Sequence, residues 1–335
     1  MTQVPAGWLR RTVARALAED VGAGDVTTAA VVPPGQKGRA VLIARQELVL
    51  AGAAAFEEVF AQVGGVEVEF HFQDGDPVPA GETAATVKGS LASILTGERV
   101  ALNFVMRLSG IATLTAEYAK AVKGTGCAVT DTRKTTPGLR ALEKAAVIAG
   151  GGTSHRSGLF DGVLIKDNHV AAAGSVTEAV ARTKKAAPHT LSTPFRKYGD
   201  APRRPMRRDR EARDRVVPAA AAARERNAAG ADAAVRRMPS YLRNGVLRIE
   251  VEVGKLHQLS EAIEAGADIV MLDNMSPDDA RRAVEIAAGR VLIEASGGMT
   301  LQNVRAYAET GVDIISVGRL THSAPAADMA LKIRK

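Results

Sequence analysis

The chain has 335 residues, a formal charge of +7 and a single cysteine. This length provides for two domains or one enlarged domain. One cysteine excludes an intramolecular disulfide framework, and no apolar run approaches the roughly 20 residues of a membrane-spanning helix. We therefore expect a cytoplasmic protein without a membrane span, in which Cys127, at the start of an apolar run, is a small core residue rather than a catalytic thiol.

The positive charge is concentrated in residues 192–247, which we call the arginine-rich segment. It contains 13 Arg and one Lys against six Asp and Glu, a net +8, which leaves −1 for the rest of the chain. Such a stretch can attract RNA or an acidic partner, but its densest part, 203–215, lacks the interleaved aromatic residues on which bases stack. We do not expect a nucleic-acid partner for the body of the protein.

The first 108 residues are expected to form an α/β sandwich-like domain. An N-terminal stretch with apolar residues at helical spacing precedes strand-like runs at 39–46, 66–72 and 82–89. The alternation in VEVEFHF predicts an antiparallel sheet that is covered on one side. A long helix over 91–121 then leads into the second domain.

Residues 109–322 are expected to form an incomplete TIM-like α/β barrel. Apolar runs alternate there with helical stretches, and each run ends in a charged or glycine-rich cluster. Continuous apolar runs of this kind are typical of parallel strands buried on both faces. The six runs are AVTDTRK (128–134), GVLIKDNH (162–169), IEVEV (249–253), IVMLDN (269–274), VLIEASGG (291–298) and IISVGR (314–319).

Predicted helices at 139–149, 175–187, 256–265, 277–287 and 300–309 separate these runs. The arginine-rich segment interrupts the alternation with five prolines and few large apolar residues, so we expect disorder or a marginal helix there. It joins a helix to a strand, and such loops lie on the barrel face opposite the active site. Residues 323–335 are predicted to form a C-terminal helix that returns towards the first domain.

The densest chemical cluster is DTRKTTPGLR (131–140), where a strand delivers Arg133 and Lys134 side by side. Arginine forms a rigid fork that suits a carboxylate or phosphate, and lysine supplies a point charge. In a barrel the ends of strands carry the chemistry. We therefore interpret this pair as anion-binding rather than as a solvated turn.

A second cluster is GGGTSHRSGLFDGVLIKDNH (150–169). The three glycines can let the backbone approach a ligand closely, His155 and Arg156 follow them, and Lys166 ends a buried strand. Such a lysine needs an anionic partner. That partner is either a substrate or a structural carboxylate such as Asp167.

The later strands carry carboxylates and glycines. Glu250 and Glu252 lie on the same side of one strand and Asp273 ends the next, an arrangement that suits Mg²⁺ and sugar hydroxyls or, alternatively, internal salt bridges. Glycine loops at the last two strands of a barrel commonly bind phosphate through backbone N–H groups. Several cations, carboxylates and a phosphate loop together favour phosphoribosyl transfer. The glycine loops contain Ser296, Gly297, Gly298 and Gly318.

At these residues the chain closely resembles the quinolinate phosphoribosyltransferase family. The resemblance spans nearly the whole chain outside the arginine-rich segment. It implies a type II phosphoribosyltransferase that converts quinolinate and PRPP, with Mg²⁺, into nicotinate mononucleotide, pyrophosphate and CO2 in NAD synthesis. The shared motifs are EDVGAGDVTT, GERVALNFVMRLSGIAT, DTRKTTPGLR, GGGTSHRSGLFDGVLIKDNH, IEVEV, MLDNM, EASGG and VGRLTHS.

The resemblance also implies a role for each matched residue. Quinolinate carboxylates would be bound by Arg99, Arg133, His155, Arg156 and Lys166. Lys134 would contact the pyrophosphate of PRPP, Glu252 and Asp273 would face the ribose and the metal, and Ser296, Gly297, Gly298 and Gly318 would hold the 5′-phosphate. The protein would be a homodimer or hexamer in which Arg99 reaches the neighbouring site. The insertion leaves the choice between Glu252 and Glu250 open.

Two other functions remain open at this stage. One is a related phosphoribosyltransferase that acts on nicotinate or another ring acid, although three or more cations around one acceptor favour a diacid. The other is an impaired paralogue whose arginine-rich segment binds a partner. Comparing turnover of quinolinate and nicotinate, with and without that segment, discriminates among them.

Overall fold

The computed structural model describes residues 4–190, 242–243 and 246–334. Eleven helices are assigned within these residues: α1 Ala6–Val21, α2 Val26–Val31, α3 Ala53–Val63, α4 Leu91–Ala121, α5 Arg140–Ala149, α6 Asp167–Ala173, α7 Val176–Thr190, α8 Leu256–Ala265, α9 Pro277–Ala287, α10 Val304–Ala308 and α11 Arg319–His322. The strands are β1 Lys37–Ala44, β2 Leu48–Val49, β3 Val66–Phe70, β4 Pro77–Val78, β5 Thr83–Ser90, β6 Ala128–Thr130, β7 Val163–Ile165, β8 Leu242–Arg243, β9 Val246–Leu247, β10 Ile249–Val253, β11 Ile269–Asp273, β12 Leu292–Ser296, β13 Ile314–Ser316 and β14 Met329–Arg334.

The chain divides into two compact units, each made of more than one stretch of sequence. The first unit comprises residues 1–119, 134–154 and 318–335, and the second comprises 120–133 and 155–317. Arg133 and Lys134 are adjacent in sequence, yet they fall in different units. The contiguous domains predicted from the sequence, 1–108 and 109–322, therefore do not coincide with these units.

An antiparallel sheet in the order β14-β1-β5-β3 forms the core of the first unit. The antiparallel pairing predicted from VEVEFHF is confirmed by β3 and β5. The C-terminal helix predicted over 323–335 is wrong, because residues 329–334 form strand β14, in which Leu331 pairs with Leu42 of β1. Met329 and Leu331 are buried while Ala330 is half-buried and Lys332 is exposed, and this alternation favours a strand.

The stretch GAGDVTT (22–28) leads into a short helix, α2. Asp25 caps α2 by accepting a hydrogen bond from the Thr28 N–H at 2.9 Å. Bonds from the hydroxyl and the N–H of Thr28 hold the pKa of Asp25 below its usual value. The aspartate thus satisfies one of the free N–H groups of the first helical turn.

The second unit contains a parallel sheet of six strands in the order β6-β13-β12-β11-β10-β7. All six predicted runs form its strands, and their interior positions are buried on both faces, as in Ile249–Val253 and Ile269–Asp273. Among the described residues, the edge strands β6 and β7 are not paired with each other. This open parallel sheet, with helices between its strands, is an incomplete TIM-like α/β barrel and confirms the predicted fold class.

The helices of the barrel fall where the apolar spacing predicts them, except that α10 is shorter than the predicted 300–309. The first residues of the predicted helix, 301–303, instead form a turn. There the Asn303 side-chain oxygen accepts a hydrogen bond from the Thr300 N–H at 2.8 Å. Side chains of this kind compete with helical backbone hydrogen bonds, which delays the start of the helix.

Most of the arginine-rich segment lies outside the described residues, and so does the prediction of disorder or a marginal helix for it. Its described residues form neither, because Leu242–Arg243 pairs with Val246–Leu247 in a short antiparallel ladder. Within the described part of the chain, no helix combines the length and the apolar character needed to cross a membrane.

Candidate active site

Lys166 and Glu252 form an ion pair in the second unit. Lys166 directly follows β7, Glu252 lies in β10, and the Lys166 ammonium contacts the Glu252 carboxylate. The two side chains are 44% and 13% exposed, so solvent partly screens the pair. The carboxylate partner predicted for this lysine is therefore Glu252, rather than the neighbouring Asp167.

The two glutamates of β10 have different surroundings. Glu250 is fully buried, whereas Glu252, two residues closer to the end of the strand, keeps part of its side chain exposed. Because side chains alternate along a strand, Glu250 and Glu252 lie on the same face of the sheet. They differ in how deeply they are buried. A ligand that approaches the carboxyl ends of the strands meets Glu252 first.

His155 is held on several sides by atoms of the second unit. Its backbone N–H donates to Asp131 Oδ1 at 2.9 Å, and its ring Nδ1 accepts from the Arg156 N–H at 2.9 Å. Its Nε2 lies 3.2 Å from Glu250 Oε2 and 3.6 Å from Glu294 Oε2. Both ring nitrogens of this predicted quinolinate ligand therefore face groups of the protein itself.

Glu294 is a buried acid that the sequence analysis did not single out. Burial, and then the negative charge of Glu250, raise its pKa to about 8, and His155 and Ser316 oppose this only in part. Glu294 is therefore mostly protonated at neutral pH. The signal in the sequence was the charged residue in the middle of the apolar run VLIEASGG, which a buried strand does not tolerate without a partner.

His155, Glu250 and Glu294 are the group in the described part of the chain with spacing that a metal ion could accept. Their possible ligand atoms all lie within 4.8 Å of one another, and all three residues are buried. The contacts of His155 with the two carboxylates account for this clustering without an ion. The carboxylates predicted to face a metal, Glu252 and Asp273, lie instead at the ends of neighbouring parallel strands.

Arg133 and Arg156 belong to the second unit as well. Arg156 is only 8% exposed, and its Nη1 donates to the Gly162 carbonyl at 3.3 Å. Arg133 follows β6 and is half-buried. A guanidinium so far removed from water binds an anion more strongly than a solvated one would.

The SGG loop after β12 has the backbone geometry that glycine allows. Gly297 has φ +94°, and a Cβ there would lie 2.2 Å from Asn274 Oδ1 and 2.9 Å from its backbone N. Gly298 has φ +61° with open space around it. Gly297 is thus required by close packing, whereas Gly298 leaves an open position beside the half-buried Ser296.

Lys134 and Gly318 lie close together in the first unit. The Thr321 hydroxyl donates to the Lys134 carbonyl at 2.7 Å. A Cβ on Gly318 would lie 3.3 Å from Lys134 Cδ and 3.1 Å from His322 Nε2. The lysine predicted to meet pyrophosphate therefore neighbours the glycine predicted to meet the 5′-phosphate.

A buried carboxylate fixes both of these segments. Glu143 accepts hydrogen bonds from the Thr136 N–H at 3.0 Å and the Thr136 hydroxyl at 2.7 Å, and pairs with Arg107 Nη2 at 2.9 Å. Arg107 also donates to the carbonyl oxygens of Thr321 and Ala324. We call this the Arg107–Glu143 hub; it connects the loop after Lys134 to helix α11 and the residues that follow it, and the sequence analysis missed it.

The glycines at 150–152 have a different role from the one predicted. A Cβ on Gly150 would lie 2.3 Å from the Ala112 carbonyl, and one on Gly152 would lie 2.7 Å from Thr115 Cγ2. These glycines allow α4 to pack closely, so their presence does not indicate approach to a ligand. Arg99, the remaining predicted ligand, lies on α4 of the first unit with an exposed side chain.

Cys127 is a core residue, as predicted. It is 4% exposed, and burial raises the pKa of its thiol to about 12, with the nearby acids Asp313 and Glu294 adding to the effect. Only the thiolate reacts with alkylating reagents. We therefore expect no labelling by iodoacetamide at pH 8 in the folded protein and complete labelling in guanidinium chloride, measured by intact-mass spectrometry. Rapid labelling of the folded protein would contradict this assignment.

The barrel and its strand ends define the class of protein: an α/β-barrel enzyme with cations, carboxylates and a glycine loop suited to phosphorylated and acidic substrates. Two family models match the chain. Quinolinate phosphoribosyl transferase, N-terminal domain, matches residues 25–109, and quinolinate phosphoribosyl transferase, C-terminal domain, matches residues 111–194 and 223–332. The unmatched residues 195–222 lie inside the arginine-rich segment.

Individual proteins agree with these models. The chain is 38% identical to the probable nicotinate-nucleotide pyrophosphorylase (carboxylating) of Bacillus subtilis, over 94% of this chain and 90% of that protein. It is 37% identical to the nicotinate-nucleotide pyrophosphorylase (carboxylating) of Mycobacterium leprae, over 97% and 96%. The structure of the nicotinate-nucleotide pyrophosphorylase from Francisella tularensis superposes with a TM-score of 0.80 at 34% identity, covering 99% of this chain and 98% of that one. The chain belongs to the quinolinate phosphoribosyl transferase family.

Proposed function

We propose that the protein is a quinolinate phosphoribosyltransferase, which converts quinolinate and PRPP into nicotinate mononucleotide, pyrophosphate and CO2 in de novo NAD biosynthesis. The observation that carries the proposal is the family match over both domains, within which every predicted site residue has the expected type. The parallel strands support it, since their carboxyl ends carry Lys166, Glu252 and Asp273.

The residues divide into groups by the chemistry they supply. Carboxylates of quinolinate are held by cations, among which the buried Arg156 provides a fork and Lys166 a point charge. The Lys166–Glu252 pair implies an exchange: a substrate carboxylate that binds Lys166 leaves Glu252 available to ribose hydroxyls. Lys134 meets the pyrophosphate. The remaining residues in these roles are Arg99, Arg133 and His155 for quinolinate, and Ser296, Gly297, Gly298 and Gly318 for the 5′-phosphate.

The reaction then needs orientation more than acid–base chemistry. With the diacid fixed, its ring nitrogen faces the anomeric carbon of PRPP; the new N–C bond forms as the C–O bond to pyrophosphate breaks through an oxocarbenium-like state. The ring nitrogen becomes quaternary and acts as an electron sink. The adjacent C–CO2 bond can therefore break with its electron pair on the ring carbon, which takes a proton from solvent.

Mg²⁺ is proposed as the cofactor that neutralises pyrophosphate charge. Carboxylate oxygens are the ligands that Mg²⁺ prefers, and the carboxylates of Glu252 and Asp273 on neighbouring strands have this chemistry. We further propose a cytoplasmic homodimer or hexamer in which the exposed Arg99 reaches the neighbouring subunit's site. Gel filtration with light scattering tests the assembly, and complementation between an Arg99→Ala chain and an Arg133→Ala chain tests the shared site.

The function is tested by a product assay. We expect quinolinate and PRPP with Mg²⁺ to yield nicotinate mononucleotide and CO2, and nicotinate to be a much poorer acceptor because it lacks the second carboxylate. Absence of product from quinolinate, or faster turnover of nicotinate, would refute the assignment.

The same assay tests the arginine-rich segment. We expect a variant without residues 195–222, the part outside the family match, to fold and to keep kcat/KM within about threefold of the full chain, because the cost of closing a loop changes slowly with its length. Loss of activity in a folded deletion variant would give this segment a role in the reaction.

A further inference from the structure

The contacts of His155 determine which of its ring nitrogens carries the proton. An imidazole ring offers two nitrogens, and a neutral ring has one donor and one acceptor. Because Nδ1 accepts the Arg156 N–H, it carries no proton, so the proton of the ring is on Nε2. That nitrogen lies 3.2 Å from Glu250 Oε2 and 3.6 Å from Glu294 Oε2. The ring thus links two buried acids to the backbone of Arg156.

The two acids are in an unfavourable place for stability alone. Both are fully buried in strands whose neighbouring residues, such as Val251, Ile293 and Ala295, are apolar and buried. Burying carboxyl groups costs more free energy than burying aliphatic side chains of similar size, even where a partner is present. A buried polar group kept at such a cost is best explained by the geometry that it imposes on its partner.

That geometry concerns Arg156. Asp131, directly after β6, accepts from the His155 backbone N–H, while the carboxyl groups of Glu250 in β10 and Glu294 in β12 lie against the ring. With both backbone and ring held, Nδ1 holds the Arg156 N–H in place, and the Gly162 carbonyl receives its guanidinium. Residues in or directly after three strands of the sheet therefore determine the position of the Arg156 backbone, from which its side chain extends.

We propose that Glu250 and Glu294 are positioning residues that act through His155 to fix Arg156. This inference rests on the proposed function, because Arg156 is there a quinolinate-binding cation. Misplacing a substrate-binding group by about 1 Å can lower the rate by two orders of magnitude. Loss of this positioning therefore raises the KM for quinolinate selectively.

The first test compares Glu294→Ala with the conservative Glu294→Gln. We expect Glu294→Ala to raise the KM for quinolinate about tenfold or more with less than a threefold change in the KM for PRPP, and Glu294→Gln to recover most of this loss, since Glu294 is mostly protonated. Glu178→Ala, on the exposed face of α7, is the control. A normal quinolinate KM in Glu294→Ala, or a parallel rise of both KM values, would overturn the proposal.

Ser316→Ala serves if Glu294→Ala does not fold, because it removes only the hydroxyl that interacts with Glu294. It should raise the quinolinate KM by a smaller factor with the same selectivity; an unchanged KM would count against the proposal.

A second readout is independent of turnover. Long-range ¹⁵N–¹H spectra, with the His155 signal assigned from a His155→Asn variant, should show the ring proton on Nε2 both before and after quinolinate is added. A proton on Nδ1 in either state would overturn the positioning role. Failure of the wild-type chain to form nicotinate mononucleotide would refute the proposed function instead, so the two failures are distinguishable.

Discussion

Arg156→Met is expected to lower kcat/KM for quinolinate by about two to three orders of magnitude, the largest kinetic effect among the variants considered. The substitution keeps an unbranched apolar stem and removes the charged guanidinium. Arg156 is 8% exposed, so a carboxylate bound to it is removed from water, and truncating one partner of such a pair costs roughly 2–5 kcal/mol. Converted through the transition-state relation, this range spans roughly 1.5 to 3.7 orders of magnitude, and the stated loss lies in the middle of it.

Steady-state kinetics with each substrate varied separately checks this expectation. The loss should appear mainly in the quinolinate KM, and Arg156→Lys should recover only part of it, because an ammonium keeps the charge without the planar fork. Arg182→Met removes an exposed arginine whose ion pair, among the residues that the structure describes, is with Glu178 one helical turn away, and should leave the kinetics unchanged. Wild-type kinetics in folded Arg156→Met would remove this residue from the site.

The sequence was sufficient to predict the barrel because its strands are buried on both faces. Such strands read as continuous apolar runs, and Ile249–Val253 and Ile269–Asp273 occupy the predicted positions almost residue for residue. Strand β14 was not predicted, because it has no continuous apolar run and depends on a partner far away in the sequence. Its six residues are stabilised by pairing with β1, nearly 300 positions earlier in the chain, and no local pattern records a partner so distant.

The candidate site was predictable at the level of residue types at strand ends, but not at the level of their partners. The contact between His155 and Glu294 joins residues from separate βα units, and the Arg107–Glu143 hub joins α4 and α5 with α11. Glycine was ambiguous for a physical reason. Close packing against another helix, as at Gly150, and close approach to a ligand both require the absence of a side chain.

Glu143→Ala is expected to destabilise the first unit by about 3 kcal/mol and to raise the KM for PRPP. Glu143 is fully buried and accepts from two atoms of Thr136 and from the Arg107 guanidinium. Removing it leaves the N–H and hydroxyl of the half-buried Thr136 without their acceptor, and breaks an ion pair that is only partly exposed on the arginine side. Because the Arg107 side chain is 26% exposed, the expected loss in the free energy of unfolding is at the lower end of the range for buried ion pairs.

The effect on PRPP follows from what the hub connects. Thr136 lies two residues after Lys134, and Arg107 holds the carbonyl of Thr321, whose hydroxyl in turn binds the Lys134 carbonyl. Thr321→Val removes that last bond and a longer one, 3.3 Å, from the same hydroxyl to the Gly318 carbonyl, so it should raise the PRPP KM a few-fold with little loss of stability. Glu309→Ala, which breaks an exposed helical pair with Arg305, is the matched control and should change stability by less than about 0.5 kcal/mol. Thermal unfolding and kinetics with varied PRPP measure both quantities. If Glu143→Ala were as stable as Glu309→Ala, the hub would not be what holds these two loops, and the account of how Lys134 is placed would fail with it.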